Sequence, residues 1–234
     1  MSDFHYDASR AGLLLVDPYN DFLSDGGKLW PMVKEVAGKV GLLDNLRALV
    51  AGARAAGMRV FFVPHRRYEP GDGEGWSFPY PSQSWAKAQL LAAGLVENAK
   101  RRAFVKGEWG GDWHPDFVPQ AGDIVVKEHW AHSGFANTDL DFQLKQRGVS
   151  HVVPVGLLAN TCVEATARFA MELGYHVTLV RDATAAFSHD AMHAAHNLNA
   201  PTFAHSVVTT KELLGALTPA TGTAKTFTSS KGHL

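Results

Sequence analysis

Three times along the chain a helix-like stretch runs into a glycine and then into a β-branched or aromatic run. Ala53-Arg-Ala-Ala-Gly57 precedes Met58-Arg-Val-Phe-Phe-Val63, Lys145-Gln-Arg-Gly148 precedes His151-Val-Val-Pro-Val155, and Met171-Glu-Leu-Gly174 precedes His176-Val-Thr-Leu-Val180. Each glycine stands where a helix C-terminus favours a residue free to take positive φ. Helices alternating with continuous apolar strands predict βαβ crossovers onto a parallel sheet covered on both faces. Gly12-Leu-Leu-Leu-Val16 adds a buried strand, and residues 33–56 a long helix with Leu42, Leu43, Leu46, Leu49, Val50 and Ala53 at helical spacing. Three glycines inside that helix count against its continuity. Ile124-Val-Val126 predicts a short strand, and residues 139–146 a helix with Thr138 as N-cap and Asp141 three positions on. A strand at 177–180, a helix from His189 to about Leu198 opened by Ser188, and a strand and helix around 206–209 and 211–217 complete the pattern. Pro154 fits a central strand poorly, because it cannot donate to the ladder, and predicts a bulge or a gap in pairing.

Residues 66–122 break this alternation. They hold four of the six tryptophans (Trp76, Trp85, Trp109, Trp113) among many Gly and Pro residues, which predicts a long excursion with one short helix near 84–92. Such excursions often form lids or binding walls. Residues 218–234 are small and polar and predict a frayed tail after a single domain at 1–217. No linker divides that domain, so the expectation is a single α/β domain with helices on both faces of a parallel sheet.

Composition narrows the function. Lys and Arg total 22 against 23 Asp and Glu, a net charge of -1, so no large field of one sign is present to capture nucleic acid or an anionic membrane. The single cysteine, Cys162, excludes an intrachain disulfide. With no signal-peptide pattern in residues 1–10 and no run of about 18 apolar residues, a cytoplasmic protein is expected.

Ligands of parallel α/β sheets bind beyond the carboxyl ends of the strands. Three reactive side chains fall there: Asp17 after Leu13-Leu-Leu-Val16, Lys127 after Ile124-Val-Val126, and Cys162 after the turn Gly156-Leu-Leu-Ala-Asn-Thr161. Cys162 also begins a helix in which Val163, Ala167 and Ala170 form a stripe, so its thiol stands at a helix N-terminus, where the thiolate is favoured. The backbone N–H groups there can hold an oxyanion, a carboxylate can take the thiol proton, and a lysine can hold the charges in place. Together they make a kit for acyl transfer. Lys106, in Phe104-Val-Lys-Gly107, competes with Lys127 for the third position.

These elements resemble the isochorismatase-like cysteine hydrolase superfamily, whose relatives include N-carbamoylsarcosine amidohydrolases, ureide hydrolases and nicotinamidases. The matching stretches are Leu14-Leu-Val-Asp17-Pro-Tyr-Asn-Asp21-Phe22, Pro119-Gln-Ala-Gly-Asp123-Ile-Val-Val-Lys127, Ser133-Gly-Phe135 with Thr138-Asp-Leu140, and Gly156-Leu-Leu-Ala-Asn-Thr-Cys162-Val-Glu-Ala-Thr-Ala167, with Gly174 and Arg181-Asp182-Ala183 beyond. The resemblance implies a three-layer α/β/α unit around a six-stranded, mostly parallel sheet, and hydrolysis of a C–N bond in a small amide or ureide through a thioester. It makes Cys162 the nucleophile, Asp17 the base and Lys127 the ordering charge, with the backbone N–H groups of Leu158 and Cys162 as oxyanion hole. It implies a cis peptide at Leu157–Leu158, a pocket drawn from Tyr19, Asn20, Phe22, Trp76, His132 and Phe135, and assembly as a dimer or tetramer. Tyr19 departs from the family's usual glutamine. Pro64-His65-Arg66 lacks the Asp-x-His of the metal-binding nicotinamidase branch, so neither metal nor cofactor is expected. Among the twelve histidines, Trp113-His114-Pro115-Asp116, His129 with His132, and His189 with His193 and His196 are tempting as ligand clusters; the last has helical spacing but lacks the glutamate of a helical zinc motif, and one helix face alone rarely completes a site. Two alternatives stand beside this reading: a vinyl-ether hydrolase, whose members work without the cysteine, and a non-catalytic binder on the same fold.

Overall fold

The computed structural model describes residues 6–81 and 102–219. The expected helix near 84–92, Trp85 and most of the polar tail lie outside the described residues. The main sheet is built from β2 (Ala11–Val16), β3 (Arg59–Val63), β4 (Ile124–Val125), β5 (His151–Leu157), β6 (His176–Val180) and β8 (Ser206–Val208), in the spatial order β4-β3-β2-β5-β6-β8. A seventh, two-residue strand, β7 (Thr184–Ala185), joins it by pairing with β5, and all pairings are parallel. The sheet thus has one strand more than the six expected. β1 (Tyr6–Asp7) and β9 (Leu217–Thr218) form a separate parallel pair, so Thr218 is held in a strand rather than frayed.

Side-chain alternation divides the core into the two faces of the sheet. Leu13 and Leu15 of β2 join Val60 and Phe62 of β3 in one apolar cluster with α2 (Trp30–Val40) and α3 (Leu42–Ala56). Leu14 and Val16, with Phe61 and Val63, join the other, against α4 (Leu140–Lys145) and α5 (Glu164–Glu172). Two short helices, α6 (His189–His193) and α7 (Thr210–Ala216), complete the layers, and α1 (Asn20–Leu23) follows β2. Among the described residues no helix is long and apolar enough to cross a membrane.

The helix expected over 33–56 is two helices. Gly41 sits between them with φ 69°, a left-handed conformation that caps the first by donating its N–H to Ala37 and Gly38 and ends its direction. Asp139 takes the cap position of α4 without a side-chain cap bond, and the capping contact comes from Thr138, whose hydroxyl oxygen accepts from Leu140 N at 3.2 Å while its hydrogen goes to the Gly134 carbonyl at 2.5 Å. Pro154 lies in a gap of the kind its chemistry requires. β5 pairs with β6 only at His151 and Val152 and is met by β7 at Gly156 and Leu157, so no ladder bond is asked of the proline on that side.

Gly156, one residue before the Leu157–Leu158 cis peptide, has φ 108°, and a Cβ there would collide with the Val16 carbonyl oxygen. A Gly156→Ala variant is expected to lose about 3 kcal/mol of stability from strain and overpacking together. The midpoint of urea unfolding checks it; a loss below about 0.5 kcal/mol would mean that β5 can shift away from β2 at no cost.

Candidate active site

The chain leaves β2 toward β3 and β4 on one side and places β5 on the other, so the order of the sheet reverses between β2 and β5. Crevices form at the carboxyl ends of the strands at such a reversal. Asp17 ends β2 and Cys162 follows β5, which puts both at that crevice. Asp17 has φ 53°, rare for a residue with a side chain; its N–H donates to Val63 O at 3.1 Å and its carbonyl accepts from Tyr19 N at 2.8 Å. The turn buries the carboxylate completely.

After the cis peptide the chain enters a single wide helical turn, Ala159–Val163, that leads into α5. Thr161 and Val163 both donate their N–H to the Leu158 carbonyl at 3.1 Å, and the Leu158 N–H lies against the Cys162 sulfur. The thiol is 6% exposed. Burial first, and then the charge of Asp17, push its pKa well above the ordinary thiol value. The resting group is therefore the neutral thiol, not the thiolate expected from a helix N-terminus alone: the dipole is weaker than burial beside a carboxylate. Asp17 Oδ2 is buried with no hydrogen-bond partner among the described residues.

The third residue of this cluster is His129. Its Nε2 is 3.0 Å from Asp17 Oδ1, and one donor atom each from Asp17, His129 and Cys162 lies within 4.8 Å of the others. Lys127 is not brought there. Its side chain is exposed and its backbone N–H donates to Asp139 Oδ1 at 2.7 Å. The cause is a bulge beyond β4. Val126 N donates to Phe62 O and His129 N to Pro64 O, so three residues advance on one strand against two on the other. An extra residue of this kind re-aims the side chains that follow. Here it turns Lys127 outward and His129 in. The same donor types could suit a metal ion, but His129 Nε2 points at Asp17 Oδ1 in a hydrogen bond, and a bound ion would need both lone pairs aimed at itself.

Of the residues expected around the pocket, three are packing elements. Tyr19 is fully buried, stacked on Trp113 at 5.1 Å, with its hydroxyl donating to the His65 carbonyl at 2.8 Å. Asn20 donates to Trp109 O at 2.9 Å and accepts from Ser24, and Phe22 packs on Phe104. α1 thus packs against Phe104 and Trp109. Trp76 stands at the surface, edge to face with Trp130 at 5.4 Å. Phe135 is buried in the apolar cluster that includes Cys162. His132 is half-buried and does face the site: burial lowers its pKa, the charge of His129 lowers it further, and Asp17 raises it.

Comparison with known proteins agrees with this geometry. The sequence profile of the isochorismatase domain matches residues 11–212. The ureidoacrylate amidohydrolase RutB of Variovorax paradoxus (strain S110) is 33% identical over 221 residues, 92% of this chain and 84% of that protein. The crystal structure of N-carbamoylsarcosine amidase from Thermoplasma acidophilum is 28% identical with a TM-score of 0.61, covering 86% of this chain and 96% of its own. A cysteine hydrolase from Pseudomonas syringae pv. phaseolicola 1448A shares the fold at a TM-score of 0.71 and 24% identity, over 90% of this chain and 93% of its own.

Proposed function

The chain belongs to the isochorismatase domain family, and we propose that it is a cysteine amidohydrolase of small ureides or amides with Cys162 as nucleophile and Asp17 as base. The observation that carries this reading is the buried juxtaposition of the Cys162 thiol with the Asp17 carboxylate, whose Oδ2 has no hydrogen-bond partner among the described residues. A similarity of 33% to a ureidoacrylate amidohydrolase supports a ureido acid as the substrate class.

The reaction proceeds in two halves. As the sulfur attacks the carbonyl carbon, the S–C bond forms, the thiol proton passes to Asp17, and the carbonyl electron pair moves onto oxygen. The N–H groups of Leu158 and Cys162 receive that oxyanion. Collapse breaks the C–N bond, and Asp17 returns its proton to nitrogen, which leaves as ammonia. Water then attacks the thioester, Asp17 takes its proton, and collapse expels the sulfur, which regains a proton from Asp17. A neutral resting thiol suits this sequence, because the base acts during attack rather than before it.

Steady release of ammonia from ureido acids, together with an acyl adduct on Cys162 in the mass spectrum of quenched protein, is the expected result. No ammonia and no adduct from any ureido acid or simple amide would overturn the reading. A thiol nucleophile also favours this chemistry over vinyl-ether hydrolysis. The reactive cysteine fits a reducing, cytoplasmic setting, and exposed Phe142, Phe169 and Leu173 support assembly of several copies; sedimentation measures the latter.

A further inference from the structure

We infer that His129, held as an imidazolium between Asp17 and the Ala131 carbonyl, is the positioning cation of this active site. The inference rests on the amidohydrolase reading for its catalytic meaning, but the charge follows from geometry alone. His129 is fully buried; its Nε2 lies 3.0 Å from Asp17 Oδ1 and its Nδ1 lies 2.8 Å from the Ala131 oxygen. Both neighbours are acceptors, and a neutral imidazole has only one N–H to give. One of the two contacts would then set a nitrogen lone pair against an oxygen, at a ring with no exposed surface. Two N–H groups satisfy both. A neutral imidazole facing a protonated Asp17 would hold the same number of protons, but the imidazolium makes both contacts charge-assisted hydrogen bonds, the stronger kind.

The surroundings agree. Burial alone would lower the pKa of His129, yet the charge and hydrogen bond of Asp17 raise it above the ordinary value. The other groups facing it add little positive charge. His65, at the end of β3, meets it edge to face at 5.1 Å and is itself neutral, with a pKa near 4 set by burial and then by His129. His132 is lowered by the same two causes. From the Cys162 turn comes a neutral thiol, and Tyr19 is kept protonated by burial and the charge of Asp17. Glu128 is committed to Arg67 at 2.6 Å and Arg66 at 3.4 Å. Asp17 and His129 therefore form a pair of no net charge, and the carboxylate can stay ionised in a dry crevice because the imidazolium stands beside it.

His129 keeps its proton through the reaction; the proton that moves is the thiol's. Its charge fixes the orientation of Asp17 through Oδ1 and leaves the unpartnered Oδ2 for the thiol proton, and it opposes the negative charge that builds on sulfur and oxygen. The charge is lost as pH rises through the His129 titration, which Asp17 moves above the ordinary imidazole value, and kcat/KM falls with it.

The test compares wild type, His129→Gln and His129→Lys. The glutamine can still donate to Asp17 but carries no charge; it is expected to lower kcat by about 10²-fold or more with KM little changed. The lysine is expected to restore kcat to within about tenfold of wild type and to move the alkaline limb up by at least about one pH unit, following the higher ordinary pKa of an amine. A substrate-free measurement decides the charge itself. In ¹⁵N spectra of the labelled wild-type protein, the His129 signals, identified by their loss in His129→Gln, are expected to show both ring nitrogens protonated at pH 7. A ring nitrogen bearing a lone pair at that pH, or full activity in His129→Gln, overturns the inference while leaving Cys162 and Asp17 in place. If the wild type hydrolyses no ureide or amide, the functional reading falls. Cys162 alkylation then replaces turnover: slowing in His129→Gln with recovery in His129→Lys sustains the positioning role, and equal rates in all three overturn it.

Discussion

Replacing Cys162 with alanine is expected to lower kcat for ureide or amide hydrolysis by about 10⁵-fold and to abolish the covalent adduct. The magnitude follows from what the sulfur does: without it no thioester forms, and the remaining oxyanion donors and bound carbonyl supply only part of the rate. The fold should survive. The thiol is a small group at the mouth of one apolar cluster, beside Val163 and Phe135, and deleting it removes about one heavy atom's packing, roughly 1 kcal/mol. Steady-state ammonia release and the urea midpoint, measured on the same preparation, separate the two effects. A variant that turned over at the wild-type rate would show that the sulfur is packing and that the chemistry lies elsewhere. Cys162→Ser is expected to fall nearly as far, because a carboxylate is too weak a base to take the proton of an alcohol many units less acidic than a thiol.

The two halves of the site differed in how legible they were. Asp17 and Cys162 could be read from the chain because each follows a continuous apolar strand, and the end of a parallel strand is set by where the hydrophobic run stops. The same alternation gave the sheet and its two faces, since Leu13 with Leu15 and Leu14 with Val16 must part company at a period of two. The third residue depends on something no run of side chains records. Whether Lys127 or His129 enters the site is decided by which carbonyls of β3 the incoming N–H groups find, and the bulge between Phe62 O and Pro64 O leaves no mark in Val-Lys-Glu-His. A histidine two places beyond the lysine, weighed only as half of a metal pair, was the one available signal. Tyr19, Asn20 and Phe22 were misplaced for a related reason. They follow Asp17 by two to five residues, but their side chains are taken up by Trp113, Trp109 and Phe104, partners far along the chain that their own sequence does not reveal. The protonation of Cys162 was misjudged because a helix end is visible in sequence and a buried carboxylate against the sulfur is not.

Asp17→Asn is expected to move two quantities in opposite directions. Turnover should fall by about 10³-fold to 10⁴-fold, since the amide cannot accept the thiol proton or return it to the leaving nitrogen. Alkylation of Cys162 at neutral pH should instead become faster. The thiol is held protonated first by burial and then by the Asp17 charge; removing the charge leaves burial alone, the thiol pKa comes down, and more thiolate is present at a given pH. Asparagine is the substitution that isolates this effect. It adopts positive φ readily, so the φ of 53° at this position is kept, whereas alanine there would add about 1 kcal/mol of backbone strain. Its side-chain oxygen can also still accept from His129 Nε2, which preserves the packing. A purely structural Asp17 would give a different pattern, with turnover and alkylation both changing only as far as stability changes. Alkylation that slowed, or stayed at the wild-type rate while turnover collapsed, would place the carboxylate's charge away from the sulfur and remove Asp17 from the role of base.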